Sequence, residues 1–248
     1  MLSVTILGCG SSLGVPVIGC DCDTCTSDSS YNKRTRSSIY IDDGNSQILI
    51  DFGFDIKDQL IRERIRKLDA AILTHYHADH VSGIDTLRVF PFLQGNPLEV
   101  FSDKETILKV ETCHKYLFAP DRLIARSIDF FSKLKINTMD LQFFRQHHGP
   151  IDSLGIRIDD FVYSSDVADF PKESEQFLYN IEVWVLDCVA YVSNSRHAGL
   201  DKVLQWYEQY KPKQILLTNM DHLVNYHEIL KVLPSNIQPL YDGYKFVV

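Results

Sequence analysis

The sequence predicts an α/β layered sandwich. Short apolar segments with the length of strands alternate with longer segments of helical periodicity, and this mixture is typical of sheets covered by helices. Two of the apolar segments, residues 39–41 and 48–50, lie close enough in the chain to form a hairpin. We therefore expect sheets flanked by helices.

The predicted elements follow this alternation along the chain. Strands are predicted at residues 3–9, 38–42, 47–51, 70–74, 98–102, 141–146, 155–159, 161–164, 183–187, 214–218 and 239–247. Helices are predicted at residues 54–67, 82–90, 104–116, 173–179, 199–210 and 225–233. Asp103 precedes one of these helices and is expected to cap its free backbone N–H groups.

Length and composition are ordinary for a globular protein. The 248 residues are 45% hydrophobic and 23% charged, with no repeat or flexible linker, so we expect a single domain over residues 1–248. The net charge of −8 disfavours nonspecific binding to nucleic acid or anionic membranes, although a local basic pocket for phosphate remains open. The first residues lack secretion features, and no segment has the length of a membrane span. A cytoplasmic location is expected.

A dense group of histidines follows the strand predicted at residues 70–74. His75, His77, Asp79 and His80 lie within six residues, between that strand and a helix. Imidazole nitrogens suit zinc, iron or manganese, and the carboxylate suits a second, harder cation. The alternative is a cluster of surface histidines. We favour a metal site in this loop.

Polar residues also follow several other predicted strands. An isolated Asp in such a position is usually a turn former. Repetition at many strand ends instead indicates one shared edge where separate segments converge. The residues concerned are Asp51, His75, His148, Asp166, Asp187 and Asn219.

Three of the six cysteines form the run Cys20-Asp-Cys22-Asp-Thr-Cys25. Clustered cysteines in a reducing compartment bind metal more often than they pair, and a closed zinc site needs a fourth ligand from elsewhere. A reduced or redox-sensitive cluster is the alternative. The remaining cysteines are expected to be small core residues: Cys9, Cys113 and Cys188.

These motifs together resemble the metallo-β-lactamase superfamily. The resemblance is carried by the histidine loop, His148 and Asp166, and it spans nearly the whole chain. The cysteine run resembles the branch that contains the phosphoribosyl cyclic phosphate phosphodiesterases of the carbon–phosphorus lyase pathway. What this implies is a four-layer αββα sandwich and a phosphodiesterase with two active-site divalent metals, Mn or Zn, and one structural Zn. Relatives suggest a homodimer.

The resemblance also implies roles for the metal-binding residues. The first metal would be held by His75, His77 and His148. Asp79 and His80 would contribute to the second metal, and Asp166 would bridge both ions. Asp79 is also expected to take part in catalysis. His147 competes with His148 for the third position, and we prefer His148 for its spacing from the next strand.

Two further histidines acquire roles through the resemblance. His197 matches a catalytic histidine, which could protonate the leaving oxygen or donate a hydrogen bond to phosphate, with a pKa lowered by the helix that follows. A capping or surface histidine is the alternative. His222 matches the distant ligand that completes the cysteine site with Cys20, Cys22 and Cys25.

Asn219 departs from the family pattern, because a histidine ligand of the second metal normally stands there. Three readings follow. The second metal binds through Asp79, His80, Asp166 and water, with a preference for oxygen-loving ions such as manganese. Alternatively, His222 moves to that metal, or only one metal is tightly held. A catalytically inactive relative retained for binding is a further possibility.

The leading functional prediction is a metal-dependent hydrolase that cleaves a small cyclic phosphate or nucleotide-like phosphodiester. The expected partner is therefore a small phosphorylated substrate. Hydrolysis of a lactone or thioester is an alternative, because the same activated water attacks carbonyl carbon. Cleavage of RNA is disfavoured by the acidic net charge. A non-catalytic metal- or ligand-binding module is the remaining class.

Overall fold

The computed structural model describes residues 1–248 and contains two seven-stranded mixed sheets. The strands are β1 (Ser3–Gly8), β2 (Ser38–Asp42), β3 (Gln47–Ile50), β4 (Ala70–Ile72), β5 (Leu98–Asp103), β6 (Leu123–Ile128), β7 (Lys133–Ile136), β8 (Met139–His148), β9 (Ile151–Ile158), β10 (Phe161–Ser164), β11 (Val183–Asp187), β12 (Gln214–Thr218), β13 (Ile237–Pro239) and β14 (Lys245–Val247). The first sheet has the order β14-β1-β2-β3-β4-β5-β6, and the second has the order β13-β12-β11-β10-β9-β8-β7.

The helices connect the strands and are mostly short. They are α1 (Asp23–Thr26), α2 (Ile56–Arg62), α3 (Ala78–Val81), α4 (Val89–Gln94), α5 (Lys104–Cys113), α6 (Leu200–Tyr210) and α7 (Tyr226–Ile229). Turns of 3₁₀ helix occupy Ser30–Asn32, Ile84–Arg88, Lys115–Leu117 and Lys172–Phe177. The predicted cap of α5 is confirmed, since the Asp103 carboxylate accepts hydrogen bonds from the N–H groups of Glu105 (2.8 Å) and Thr106 (3.1 Å).

Side chains of successive residues in the first sheet enter two different cores. In β3, Ile48 and Ile50 belong to the large cluster that also contains Phe143 of the second sheet. Leu49, between them, belongs to a smaller cluster with Leu60 of α2. Because neighbouring strand residues point to opposite faces, the first sheet packs against the second sheet on one side and against helices on the other.

Helix α6 covers the outer face of the second sheet. Its buried residues Leu200, Val203, Trp206 and Tyr210 are three or four positions apart, which places them on one helical stripe. The Trp206 ring lies 6.3 Å from the Trp184 ring of β11 in a stacked arrangement. The molecule therefore has helices outside both sheets, as predicted for an αββα sandwich.

The single strand predicted at residues 239–247 is wrong. The chain forms β13 in the second sheet, turns, and then forms β14 in the first. Gly243 in the turn has a φ of +88°, and the preceding Asp242 carboxylate accepts a hydrogen bond from the Cys9 N–H (3.1 Å). This contact holds the turn next to the end of β1, and local sequence patterns do not predict a contact of this kind.

Other predictions differ from the structure in detail. The helix predicted at residues 82–90 is instead a 3₁₀ turn followed by α4. The turn begins after Gly83, whose backbone lies so close to that of Gly53 that a Cβ at position 83 would be 2.2 Å from the Gly53 carbonyl oxygen. Strands β6 and β7 were not predicted, and both are partly exposed. Cys113 was expected in the core but is exposed, since it lies at the end of α5. None of the helices combines the length and apolar character required to cross a membrane.

Candidate metal centre

The polar residues at the strand ends converge at one edge of the two sheets. Asp51 follows β3, His148 ends β8, and Asp166 is the second residue after β10. Asp51, Asp166 and Asn219 all have a positive φ, between 52° and 60°. Asp and Asn tolerate this left-handed conformation better than most residues, and its recurrence at converging strand ends is typical of functional sites. These residues therefore form turns and also lie at one shared edge of the sheets.

The histidine loop between β4 and α3 is held by the residues that follow β3. The Asp51 carboxylate accepts hydrogen bonds from the N–H (2.8 Å) and the hydroxyl (2.9 Å) of Thr74. A Cβ at position 53 would lie 1.8 Å from the Asp79 carbonyl oxygen, so only glycine permits this approach. These contacts fix the loop that carries the histidines to the edge of the first sheet.

Three imidazoles, from His75, His77 and His148, form the first group of possible metal ligands. One ligand atom from each lies within 4.8 Å of the others, and His148 Nε2 is 3.1 Å from His77 Nδ1. The backbone carbonyl of Arg196 can only accept a hydrogen bond, so His148 carries its proton on Nδ1 (2.8 Å) and leaves Nε2 free as a ligand. His147 instead faces outward, half-exposed, with its Nδ1 2.9 Å from Asp152. The structure thus brings His148, and not His147, to the group.

His75 provides the test of whether these residues suit a metal. Its ring is buried, its Nδ1 lies 3.0 Å from the Thr74 hydroxyl, and its Nε2 is buried with no hydrogen-bond partner. Burial lowers the pKa of His75 well below its usual value, so the ring is neutral. A neutral imidazole with an unpartnered nitrogen facing two other imidazoles is suited to binding a divalent cation, and the donor set fits zinc or manganese.

The second group combines His80 with carboxylates. Its Nδ1 lies 2.8 Å from Asp51, while its Nε2 lies 2.7 Å from Asp166 and 3.4 Å from Asp79. Burial disfavours the charged ring, but the carboxylates of Asp166 and Asp51 raise the pKa of His80 well above its usual value. The Asp166 carboxylate has one oxygen near His80 and the other 3.7 Å from His148, so it lies between the two groups. This is the position expected of a bridging ligand.

His197 lies at the same edge and is oriented by Asp187. Its Nδ1 is 3.0 Å from Asp187 and 3.4 Å from Asp166. Burial would lower the pKa of His197, but these carboxylates raise it to about 9. The lowered pKa expected from the helix is therefore wrong, since α6 begins only at Leu200 and two buried carboxylates are much closer.

Asn219 is buried beside these carboxylates, with its side-chain nitrogen toward them. This nitrogen donates hydrogen bonds to Asp166 (3.3 Å) and Asp187 (3.1 Å), while its oxygen accepts one from the Ser37 hydroxyl (3.5 Å). In this orientation Asn219 is a hydrogen-bond donor. It would have to rotate its amide by 180° to present an oxygen to a metal.

The predicted cysteine cluster is also assembled. Sulfur atoms of Cys20, Cys22 and Cys25 and a ring nitrogen of His222 lie within 4.8 Å of one another, with His222 Nδ1 3.2 Å from Cys20 and 3.5 Å from Cys22. The backbone N–H of Cys25 lowers the pKa of the Cys22 thiol to about 6, which favours the thiolate that binds metal. Three thiolates and one imidazole fit a closed tetrahedral zinc site, and His222 is placed there, away from the second group.

The sequence placed Asp51 and Asp187 at strand ends without assigning either a role, and it gave no sign of one backbone contact. Asp51 contacts His80 and thereby orients a candidate ligand, whereas Asp187 orients His197. The Arg196 carbonyl, which fixes the ring of His148, was not predicted because backbone acceptors leave no trace in residue identity. For Asp51 and Asp187, their position at strand ends was the available signal in the sequence.

Comparison with known proteins identifies the family and the fold. A family described as "Beta-lactamase superfamily domain" matches residues 46–220. The crystal structure of a diphosphatase from the PhnP family is 29% identical and superposes with a TM-score of 0.95, covering 100% of this chain and 98% of that one. Zn²⁺-bound PqqB from Methylobacterium extorquens is 16% identical with a TM-score of 0.84, covering 99% and 100% of the two chains; this likeness concerns the fold.

One curated relative is named for acyl transfer. An octanoyltransferase of Porphyromonas gingivalis is 28% identical over 252 residues, which are 98% of this chain and 51% of the relative. The chain thus spans about half the length of that protein.

Proposed function

The chain belongs to the β-lactamase superfamily, and from this premise we propose that it is a metal-dependent phosphodiesterase acting on a small phosphate ester. The observation that carries the proposal is the pair of adjoining donor groups with Asp166 between them. One group is rich in imidazole, and the other combines an imidazole with carboxylates. This division suits two divalent cations side by side, the arrangement used to hydrolyse phosphate esters.

The residues have separate tasks in holding the ions. His75, His77 and His148 would hold the first ion, and Asp79 and His80 would hold the second, with Asp166 shared. We propose manganese or zinc at these positions and zinc at the cysteine cluster. When bound, the ions lower the pKa of a water molecule and neutralise charge on the phosphoryl oxygens.

His197 is proposed as the group that protonates the leaving oxygen. Its Nδ1 is engaged by Asp187, so its Nε2 is the ring nitrogen free to meet a substrate. The neighbouring carboxylates raise the pKa of His197 to about 9, which keeps the ring protonated at neutral pH. A protonated ring held at one nitrogen can give up the proton from the other as the leaving group departs.

The surroundings of His197 favour a small polar substrate. The ring lines a cavity of about 470 Å³ whose wall includes Ser11, Ser12, Ser195 and Arg196. Hydroxyl groups and a cation suit a phosphorylated ligand, and the size is in the range of small-molecule sites. The 29% identity to a diphosphatase supports chemistry at phosphorus.

Thioester hydrolysis is the second candidate, because the octanoyltransferase matches nearly the whole chain. The cavity at His197 has polar and apolar walls, the latter including Leu13, Val17 and Val189, so its lining does not decide between the candidates. We rank thioester hydrolysis lower because the octanoyltransferase is matched over only 51% of its length, whereas the diphosphatase is matched over 98%. Assays with octanoyl thioesters and with lactones test it directly. Turnover of these substrates without turnover of phosphodiesters would reverse the ranking.

The proposal is tested by hydrolysis of bis-p-nitrophenyl phosphate and of nucleoside cyclic phosphates after loading with manganese or zinc. Replacing His148 by Ala should reduce kcat/KM by at least about 100-fold, because it removes a donor from the first group. The adjacent His147→Ala is the matched control and should retain activity within about threefold, because its ring faces outward. Equal effects of the two variants, or no phosphodiester turnover by metal-loaded protein, would contradict the proposal.

A further inference from the structure

Arg34, in the segment before β2, is the only arginine of the chain that is buried, with 2% of its surface exposed. Its guanidinium donates hydrogen bonds to neutral acceptors, namely the backbone carbonyls of Asp221 (3.1 Å) and Val224 (2.8 Å) and the side-chain oxygen of Asn32 (3.2 Å). Burial lowers the pKa of Arg34, because the charged form is poorly solvated there. A buried cation that no carboxylate contacts costs stability, so its presence calls for an explanation in what the guanidinium holds.

The two carbonyl acceptors lie on either side of His222 in the chain. Residues 221–224 form a turn, closed by a hydrogen bond from the Val224 N–H to the Asp221 carbonyl (3.2 Å). The planar guanidinium donates to both carbonyls at once, so the turn is held at its two ends. This turn places His222 Nδ1 at 3.2 Å from the sulfur of Cys20.

Asn32 extends these contacts to the segment that follows the cysteines. Its side-chain oxygen, which accepts a hydrogen bond from Arg34, also accepts one from the Tyr226 N–H (2.9 Å). Its side-chain nitrogen donates to the Ser27 hydroxyl (3.1 Å), and Ser27 directly follows α1, the helix that contains Cys25. One buried side chain therefore joins the guanidinium to both halves of the cysteine site.

The backbone of Arg34 holds the loop that carries the cysteines. Its N–H and its carbonyl both pair with Val15 at 2.8 Å, in an antiparallel bridge. Two residues later, the Val17 N–H donates to the sulfur of Cys25 (3.3 Å). Arg34 thus contacts the cysteine loop through its backbone and the turn of His222 through its side chain.

We propose that Arg34 is a positioning residue of the cysteine site: it sets the spacing between the cysteine loop and His222 and thereby raises the affinity for zinc. A closed tetrahedral site needs four donors at fixed distances, and 202 positions of the chain separate Cys20 from His222. When the protein itself holds the donors at this spacing, zinc does not have to order the turn, and affinity is not reduced by that ordering cost. The inference rests on the zinc site of the proposed function and is independent of hydrolysis at the other metals.

The experiment measures zinc affinity at the cysteine site of the full chain. Cobalt is bound first, and its charge-transfer absorption with thiolates reports the cysteine site and not the centre built from histidines and carboxylates. Zinc from a chelator buffer of known free concentration then displaces the cobalt. Arg34→Lys keeps the charge but loses the planar fork, and it should weaken zinc binding by about 10- to 100-fold, the range for residues that orient metal ligands.

Arg157→Lys is the matched control. The Arg157 guanidinium also donates to backbone carbonyls, those of Phe177 (2.7 Å) and Tyr179 (2.7 Å), and neither contact involves the cysteine site. This variant should lose some stability, seen as a lower Tm, while its zinc affinity stays within about threefold of the wild type. The comparison separates an effect on the zinc site from a general effect on the fold.

Unchanged zinc affinity in folded Arg34→Lys, or an equal loss in Arg157→Lys, would overturn the inference. If Arg34→Lys does not fold, Asn32→Ala provides the second test, because it removes the acceptor shared by the guanidinium and the Tyr226 N–H. Unchanged affinity in that variant, or failure of both variants to fold, would also overturn the inference.

Failure of the proposed function gives a different result. Wild-type protein would then show the cobalt–thiolate absorption and bind zinc, but it would not hydrolyse bis-p-nitrophenyl phosphate. Absence of the cobalt–thiolate absorption in the wild type would instead remove the cysteine zinc site, and this inference with it.

Discussion

Replacing Asp187 by Asn tests the proposed role of His197 most directly. The substitution keeps the shape of the side chain and removes the negative charge 3.0 Å from His197 Nδ1. The pKa of His197 is about 9 with the carboxylates in place. Relative to the ordinary value of about 6.5, the charged ring is stabilised by roughly 3 kcal/mol, and Asp187 supplies the leading part of this. We therefore expect the variant to lower the pKa of His197 toward neutrality.

The consequence is measured as the pH dependence of kcat for phosphodiester hydrolysis. A proton donor is active below its pKa, so the decline in kcat at alkaline pH should begin at lower pH in the variant, with a loss of about tenfold at pH 8. Asp201→Asn is the control, because Asp201 holds the same loop through the Ser193 N–H (2.9 Å) without contacting His197. An unchanged alkaline decline in Asp187→Asn, or the same displacement in Asp201→Asn, would refute the assignment of His197 as the proton donor.

Two further predictions concern the metal sites. Cys22→Ser should remove about one zinc per chain and lower Tm markedly, because the cysteine site links the loop after β1 to His222, while activity per folded molecule should change little. Cys113→Ser is the control at an exposed cysteine and should leave both the zinc content and Tm unchanged. A similar loss of zinc and Tm in the two variants would argue against the site. Asn219→His should tighten binding of the second metal by about tenfold or more, as measured by titration with manganese or zinc, because imidazole replaces an amide that donates to Asp166. Unchanged affinity in that variant would show that position 219 does not face the second metal.

The positions of most strands along the chain and most of the donor groups could be predicted from the sequence. Strands such as β2, β10, β11 and β12 follow from short runs of apolar residues bounded by polar ones, and their bounds agree with the structure. The strand predicted at residues 239–247 fails because its division between two sheets depends on a carboxylate contact to Cys9, 233 positions away in the chain. Local periodicity carries no information about such a contact.

The sequence by itself determined which chemistry is present: three histidines and a carboxylate in one short loop, and three cysteines in another. Only the tertiary structure decided which residues meet. The sequence does not distinguish His147 from His148. Adjacent residues of β8 point to opposite faces, so its pairing with β9 places the His147 ring beside Asp152 and the His148 ring at the candidate metal centre. The same holds for His222, which lies with the cysteines because the strand ends fix its distance from them. The identity of a donor is a local property, whereas coordination requires several donors within a few ångströms, and that spacing is set by the packing of the two sheets.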